Sequence, residues 1–176
     1  MPEQVLVTEE QIQKRISELA KEIVKEYEGK PLVLVGILKG AFIITADLIR
    51  ALHKEGHTDI EVSFLILKSY YSSTTVSKDI TLVTDIDIAP LGRHLLLVDD
   101  IFDTGKSFAF VDKHMRMQGA ESVEGLALLA KTERHEVVYR PRYIGFQVPN
   151  LWIEGYGMDS SENGRGNPEI IGKKNE

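Results

Sequence analysis

The sequence predicts an α/β fold with a mainly parallel central sheet flanked by helices, formed as a single domain over residues 1–176. Three observations carry that prediction. Short β-branched apolar runs alternate with stretches in helical spacing. One run, Leu95–Val98, is apolar at every position, as in a strand covered on both faces. A chain of 176 residues that is 43% hydrophobic and has no cysteine is also long enough to bury about 70% of its extended surface without disulfide support.

The elements follow in order. Thr8 and Gln11 have the spacing of a capping box, and Ile12, Ile16, Leu19, Ile23 and Tyr27 continue as one helical face up to Gly29. LVLVGIL after Pro31 reads as a strand, LKG as a tight loop, and Phe42 to Leu52 as a second helix closed by Gly56. Residues 60–67 read as a strand and residues 68–79, rich in Ser, Thr and Tyr without periodicity, as a loop. Residues 80–88 alternate as a half-buried strand, and Ala89–Gly92 is a turn. A strand from His94 is expected to end at Val98, where DDIFD begins, and a helix runs from Ser107 to Gln118. Strands are expected at 123–130, 143–148 and 152–156, followed by a polar, glycine-rich tail from Asp159. In a sheet of this kind ligands sit at the carboxyl ends of the strands.

Net charge is −6, from 21 basic and 27 acidic residues, and it is concentrated. Between Asp79 and Asp103 six acids face one base, Arg93. An acidic chain lacks the clustered Lys and Arg that give affinity for nucleic acid or anionic membrane, so neither is expected as a partner. The opening MPEQVLVTEEQ has no basic and apolar leader pattern, and the cysteine-free composition suits a reducing compartment, so a cytoplasmic location is expected.

The chemistry is expected in LLLVDDIFDTGKSF, residues 95–108. An apolar strand leads to Asp99 and Asp100, and Asp103, Thr104, Gly105, Lys106 and Ser107 lead into a helix. Gly105 allows close backbone approach, Thr104 and Ser107 offer hydroxyls, and a helix N-terminus adds N–H donors, which together suit a phosphate. The adjacent carboxylates suit a divalent cation. A Walker loop is excluded because Asp100 stands where its first glycine belongs. Asp85 and Asp87 read as solvent-facing strand-end acids. The histidines His53, His57, His94, His114 and His135 form no zinc spacing, and His53 and His57 read as an exposed helix end.

VDDIFDTGKS resembles the signature of the type I phosphoribosyltransferases. GILKGAFIITADLIR, the SYYSSTT segment, LLAKTERHEV, YIGFQVPNLWIEGYGMD and Arg165 are similar to the hypoxanthine-guanine branch, in order from Val33 to Ile170. The resemblance implies the fold of that family, with a small hood formed by N- and C-terminal segments, and a purine salvage reaction between phosphoribosyl pyrophosphate and a 6-oxopurine. It implies that Asp99 and Asp100 hold the ribose hydroxyls and magnesium, that Asp103 accepts the purine proton, and that Asp103 to Ser107 cradle the 5-phosphate. Lys39 and Gly40, after a cis Leu38–Lys39 peptide, and Arg165 would meet pyrophosphate. Ser69 and Tyr70 would belong to a lid, Lys131 would meet the 6-oxo group, Trp152 would stack on the base, Ile153 would offer backbone contacts, and Asp159 would sit by the base and a second magnesium. The family also implies a homodimer or homotetramer.

Read from pattern alone, Trp152 is a core residue and Lys131 a solvent lysine. The acid pair is Asp-Asp where many relatives have Glu-Asp, and position 135 is His where relatives often carry Arg. The alternatives within the same fold are a xanthine-preferring enzyme and a regulator that senses phosphoribosyl pyrophosphate and binds nucleic acid. The second would need a basic face or an added helix-turn-helix, and the sequence offers neither.

Overall fold

A computed structural model describes residues 3–71, 78–131 and 136–173. The chain runs β1 (Gln4–Val7), α1 (Glu9–Glu26), β2 (Leu32–Leu38), α2 (Phe42–Lys54), β3 (Ile60–Tyr71), β4 (Lys78–Thr84), β5 (His94–Phe102), α3 (Lys106–Met117), β6 (Ser122–Lys131), β7 (Tyr143–Val148), β8 (Trp152–Glu154) and β9 (Ile170–Lys173). A six-stranded sheet has the order β4-β3-β2-β5-β6-β7. All its neighbours pair in parallel except β3 with β4. The expected hood is a three-stranded antiparallel sheet, β1-β9-β8, which joins the two ends of the chain.

The apolar runs sort by alternate residues onto two layers, as the two-residue period of a strand requires. Leu32, Leu34, Leu96 and Val98 pack with α1 and α2, while Val33, Val35, Leu95 and Leu97 pack with Phe108, Val111 and Met115 of α3. Both faces of the central strands are therefore covered, which leaves their polar ends to face a ligand. Helix α1 begins with the expected capping box: the Thr8 hydroxyl accepts from the Gln11 N–H at 3.3 Å, and the Gln11 side chain accepts from the Thr8 N–H at 2.9 Å.

Several boundaries differ from the sequence expectation. Strand β5 does not stop at Val98; it carries Asp99, Asp100 and Phe102 as well, because its backbone stays paired with β6 through Asp99↔Ala127 and Phe102↔Ala130. Side-chain polarity does not end a strand whose ladder is satisfied. Of the segment read as a loop over 68–79, the described residues are paired, Lys68 with Thr81 through Tyr71 with Lys78. The apolar alternation that marks a half-buried strand is missing there. Strand β4, expected to reach Ile88, ends at Thr84. Asp85 and Asp87 turn the chain instead: Asp85 accepts from the Ile86 N–H at 2.8 Å, and the Asp87 N–H reaches the Ser63 hydroxyl at 3.2 Å. The strand from Trp152 ends at Glu154, because Gly155 and Tyr156 both take positive φ, and the polar tail contains β9. His57 is buried rather than on an exposed helix end: after Gly56 at φ +91° the chain folds back, and the His57 N–H caps Leu52 O at 3.0 Å.

Among the described residues, no helix is long and apolar enough to cross a membrane.

Candidate active site

Three parallel strands deliver their carboxyl ends to one cavity of about 740 Å³. From the loop after β2 comes Gly40, from β5 and the turn after it the stretch Asp99 to Ser107, and from β6 Lys131, with Trp152 of the hood also lining the cavity. Trp152 is 52% exposed, so the core reading suggested by its apolar neighbours is corrected. Ile153, next to it, is buried in the core. Lys131 is 8% exposed and its Nζ lies 3.9 Å from Asp103 Oδ2. The solvent-lysine reading fails for the same reason that β5 is longer than expected: the sheet extends to the cavity floor.

Helix α3 enters through Gly105 at φ +83°, a conformation that glycine adopts without penalty. A Cβ there would also lie 2.7 Å from Val137 Cγ2 and 2.8 Å from Phe102 Cε2. The first turn of α3 has no acidic residue and its cap residue has no side chain, so the positive end of the helix is not offset from within its own first turn. Lys106, at that end, pairs with Glu136 at 2.5 Å. These parts make an anion cradle beside the acids.

Asp99 and Asp100 are adjacent on β5, and the Asp100 N–H donates to Asp99 Oδ1 at 2.9 Å. Burial, and then the neighbouring Asp100 charge, push the Asp99 carboxyl well above its ordinary range. Burial also raises Asp100, against the lowering effect of hydrogen bonds and of Arg165. Two carboxylates so placed are suited to a hard divalent cation. Among the described residues no cluster of three or more ligating side chains occurs. The adjacent pair Asp99–Asp100 fits a magnesium ion, which binds through one or two carboxylates with the remaining oxygens from substrate and water.

The second group of expected residues meets outside the cavity lining. Arg165 pairs with Asp159 at 2.7 Å and donates to Gly157 O at 2.8 Å, and Lys39 pairs with Glu162 at 3.2 Å. Glu162 also pairs with Arg165 at 3.2 Å, so one carboxylate links Lys39 and Arg165. A Cβ on Gly157 would lie 2.2 Å from Gly40 O, which shows how closely this loop abuts the loop after β2. The Leu38–Lys39 peptide is cis, as the resemblance implied. Ser69 and Tyr70 fall at the β3–β4 pairing, and their side chains lie outside the described residues, as does His135.

Sequence reasoning missed Glu136, Glu162, and the network beneath the hood loop. Asp47 of α2 accepts from the Tyr156 hydroxyl, from Gln13 Nε2 at 3.0 Å and from Arg50. None of these has a local pattern that would have marked it. Asp85 and Asp87 are exposed, as expected, and each also has a partner: Asp87 accepts from the Ser63 hydroxyl, and Asp85 pairs with His114 at 2.7 Å. Both are structural and stand apart from the cavity.

The phosphoribosyl transferase domain family matches residues 6–161. The chain is 39% identical over 167 residues to the hypoxanthine-guanine phosphoribosyltransferase of Aquifex aeolicus, covering 94% of this chain and 92% of that one. It is 38% identical over 168 residues to the enzyme of the same name from Lactococcus lactis, covering 96% and 89%. Among solved structures, a hypoxanthine-guanine phosphoribosyltransferase from Bacillus anthracis superposes with a TM-score of 0.90 at 35% identity, over 97% of this chain and 98% of that one.

Proposed function

The chain belongs to the phosphoribosyl transferase family, and on that premise we propose how its residues divide the work. It is an enzyme of purine salvage: it transfers the 5-phosphoribosyl group of phosphoribosyl pyrophosphate to N9 of hypoxanthine or guanine and releases pyrophosphate. The bond from C1 of the ribose to the pyrophosphate oxygen breaks, the C1–N9 bond forms, and the N9 proton leaves.

The observation that carries the division of roles is the Lys131–Asp103 pair, a buried ammonium 3.9 Å from a carboxylate in the cavity that also holds the acid pair and the anion cradle. Lys131 donates to the purine 6-oxo group. A 6-amino group would present a donor to a donor, and sites built this way reject the wrong partner by roughly 10⁴-fold. Asp103 accepts the N9 proton. Trp152 offers its exposed face to the base, and Ile153 offers backbone polar groups to its edge. The 5-phosphate rests on residues 103–107 at the start of α3.

Asp99 and Asp100 hold the ribose hydroxyls. Asp99, Asp100 and Asp159 are the residues that would hold magnesium, which when bound offsets negative charge on the departing pyrophosphate. Gly40, Lys39 and Arg165 receive that pyrophosphate, the cations matching charge that grows as the bond breaks. Ser69 and Tyr70 form the lid. The protein works in the cytoplasm as a homodimer or homotetramer, in one domain.

The test is formation of the purine nucleotide from hypoxanthine, guanine or xanthine with phosphoribosyl pyrophosphate and magnesium, compared as kcat/KM. Turnover of hypoxanthine or guanine above xanthine, with adenine inert, is expected. No turnover with any of the three oxopurines overturns the reading.

A further inference from the structure

Glu162 occupies an unusual position. It is presented at the tip of a two-residue turn in which Ser160 and Asn163 exchange backbone hydrogen bonds of 2.9 and 3.1 Å. Ser161 and Glu162 stand at φ +53° and +66°. Turns with both central residues in the left-handed region favour Asn-Gly, and a residue with a side chain is strained there. The backbone thus has no need of a glutamate at residue 162, and glycine would serve it better.

What the side chain reaches is specific. Its two carboxylate oxygens accept from Lys39 Nζ at 3.2 and 3.3 Å, and one of them also pairs with Arg165 at 3.2 Å. The Glu162 N–H donates to Asp159 Oδ2 at 2.8 Å, and Asp159 in turn pairs with Arg165 at 2.7 Å. Two acids and two bases form one charge-neutral cluster: Glu162, Arg165 and Asp159 close on one another, and Lys39, from the loop after β2, joins them through Glu162. The Lys39 and Glu162 side chains are each about two-thirds exposed, so their ion pair is weak. It can be displaced by a ligand of higher charge density.

We infer that Glu162 is an internal competitor for pyrophosphate: its carboxylate holds Lys39 and Arg165 together until the diphosphate takes its place, and so sets how tightly diphosphate is bound. This rests on the assignment of Lys39 and Arg165 to pyrophosphate proposed above. A diphosphate offers the same kind of oxygen acceptor as the glutamate, with more charge and a longer span, so one group replaces the other on the same two cations. The opposing view, that Glu162 merely orients the two cations, predicts the reverse effect of removing its charge.

The experiment is Glu162→Gln in the full chain, with pyrophosphate binding measured by titration calorimetry in magnesium buffer. The expected result is a Kd lowered three- to tenfold and a KM for phosphoribosyl pyrophosphate lowered in step, with the KM for hypoxanthine within twofold. Glu154→Gln is the control, because Glu154 pairs with Lys173 at 2.9 Å in the same hood and its loss removes one negative charge without touching Lys39 or Arg165. Its pyrophosphate Kd is expected to stay within twofold. Unchanged or weaker binding by Glu162→Gln overturns the inference, as does equal tightening by Glu154→Gln, which would reduce the effect to general charge. If the wild type forms no nucleotide yet binds pyrophosphate, the proposed function fails while the Kd comparison still decides the role of Glu162. If it binds no pyrophosphate, both fall.

Discussion

The Asp100 carboxylate stands where a Cβ on residue 40 would be: Oδ2 lies 1.7 Å from that position. The end of β5 and the loop after β2 are therefore in contact only because residue 40 has no side chain. An added methyl group must displace the carboxylate, since that is the movable partner. Gly40→Ala is expected to fold, with an overpacking cost of about 1–3 kcal/mol, and to lose about 100-fold or more in kcat/KM. Thermal melts beside steady-state assays check it. A variant with full activity would show that Asp100 has no part in the reaction from its present position.

Asp103 sits beside Lys131 in the cavity, and its carboxylate is the group assigned to the N9 proton. Asp103→Asn keeps the shape and removes the basic oxygen. Turnover is expected to fall by about 10²–10⁴-fold, the range for loss of a general base, while the Kd for phosphoribosyl pyrophosphate moves by only a few fold. Single-turnover rates and equilibrium binding separate the two. An unchanged rate would leave Asp103 a positioning group.

Asp47 links α1, α2 and the hood. Burial pushes its carboxyl up, but hydrogen bonds from Tyr156, Gln13 and Arg50 together outweigh that and hold it below its ordinary value. A carboxyl lowered in the folded state stabilises the protein above its unfolded pKa, and that contribution is lost as pH falls through the folded value. Asp47→Asn is therefore expected to cost about 1–3 kcal/mol at pH 7, with the gap closing below about pH 4. Melting temperatures of both proteins from pH 7 down to pH 3 provide the measurement. A gap that is constant with pH would mean that shape, and not charge, is what Asp47 contributes. Because Tyr156 precedes Gly157, whose carbonyl holds Arg165 at 2.8 Å, the substitution should also raise the KM for phosphoribosyl pyrophosphate.

The sequence was most informative where a structure repeats along the chain. The apolar residues at 32–35 and 95–98 sort onto two buried layers because alternation is a property of the strand itself. Thr8 and Gln11 mark a helix start because both partners lie within one turn. Glycine at 105 is legible for the same reason: a local backbone angle requires it. The strand ends were less legible. Asp99 and Asp100 looked like a break, and Ser69 to Tyr71 like a loop, because what holds them extended is a neighbouring strand and not their own side chains.

The α/β class, the glycine-containing turn at 103–107 and the acid pair before it are legible in the sequence, since each is written in residues adjacent along the chain. Which charges meet is set by packing. Lys39 finds Glu162, Lys131 finds Asp103, Lys106 finds Glu136, and Asp47 finds Tyr156. An ion pair depends on distance through space, which the packing of sheet, helices and hood sets, and an exposed glutamate in a polar turn shows no periodicity that would reveal its partner.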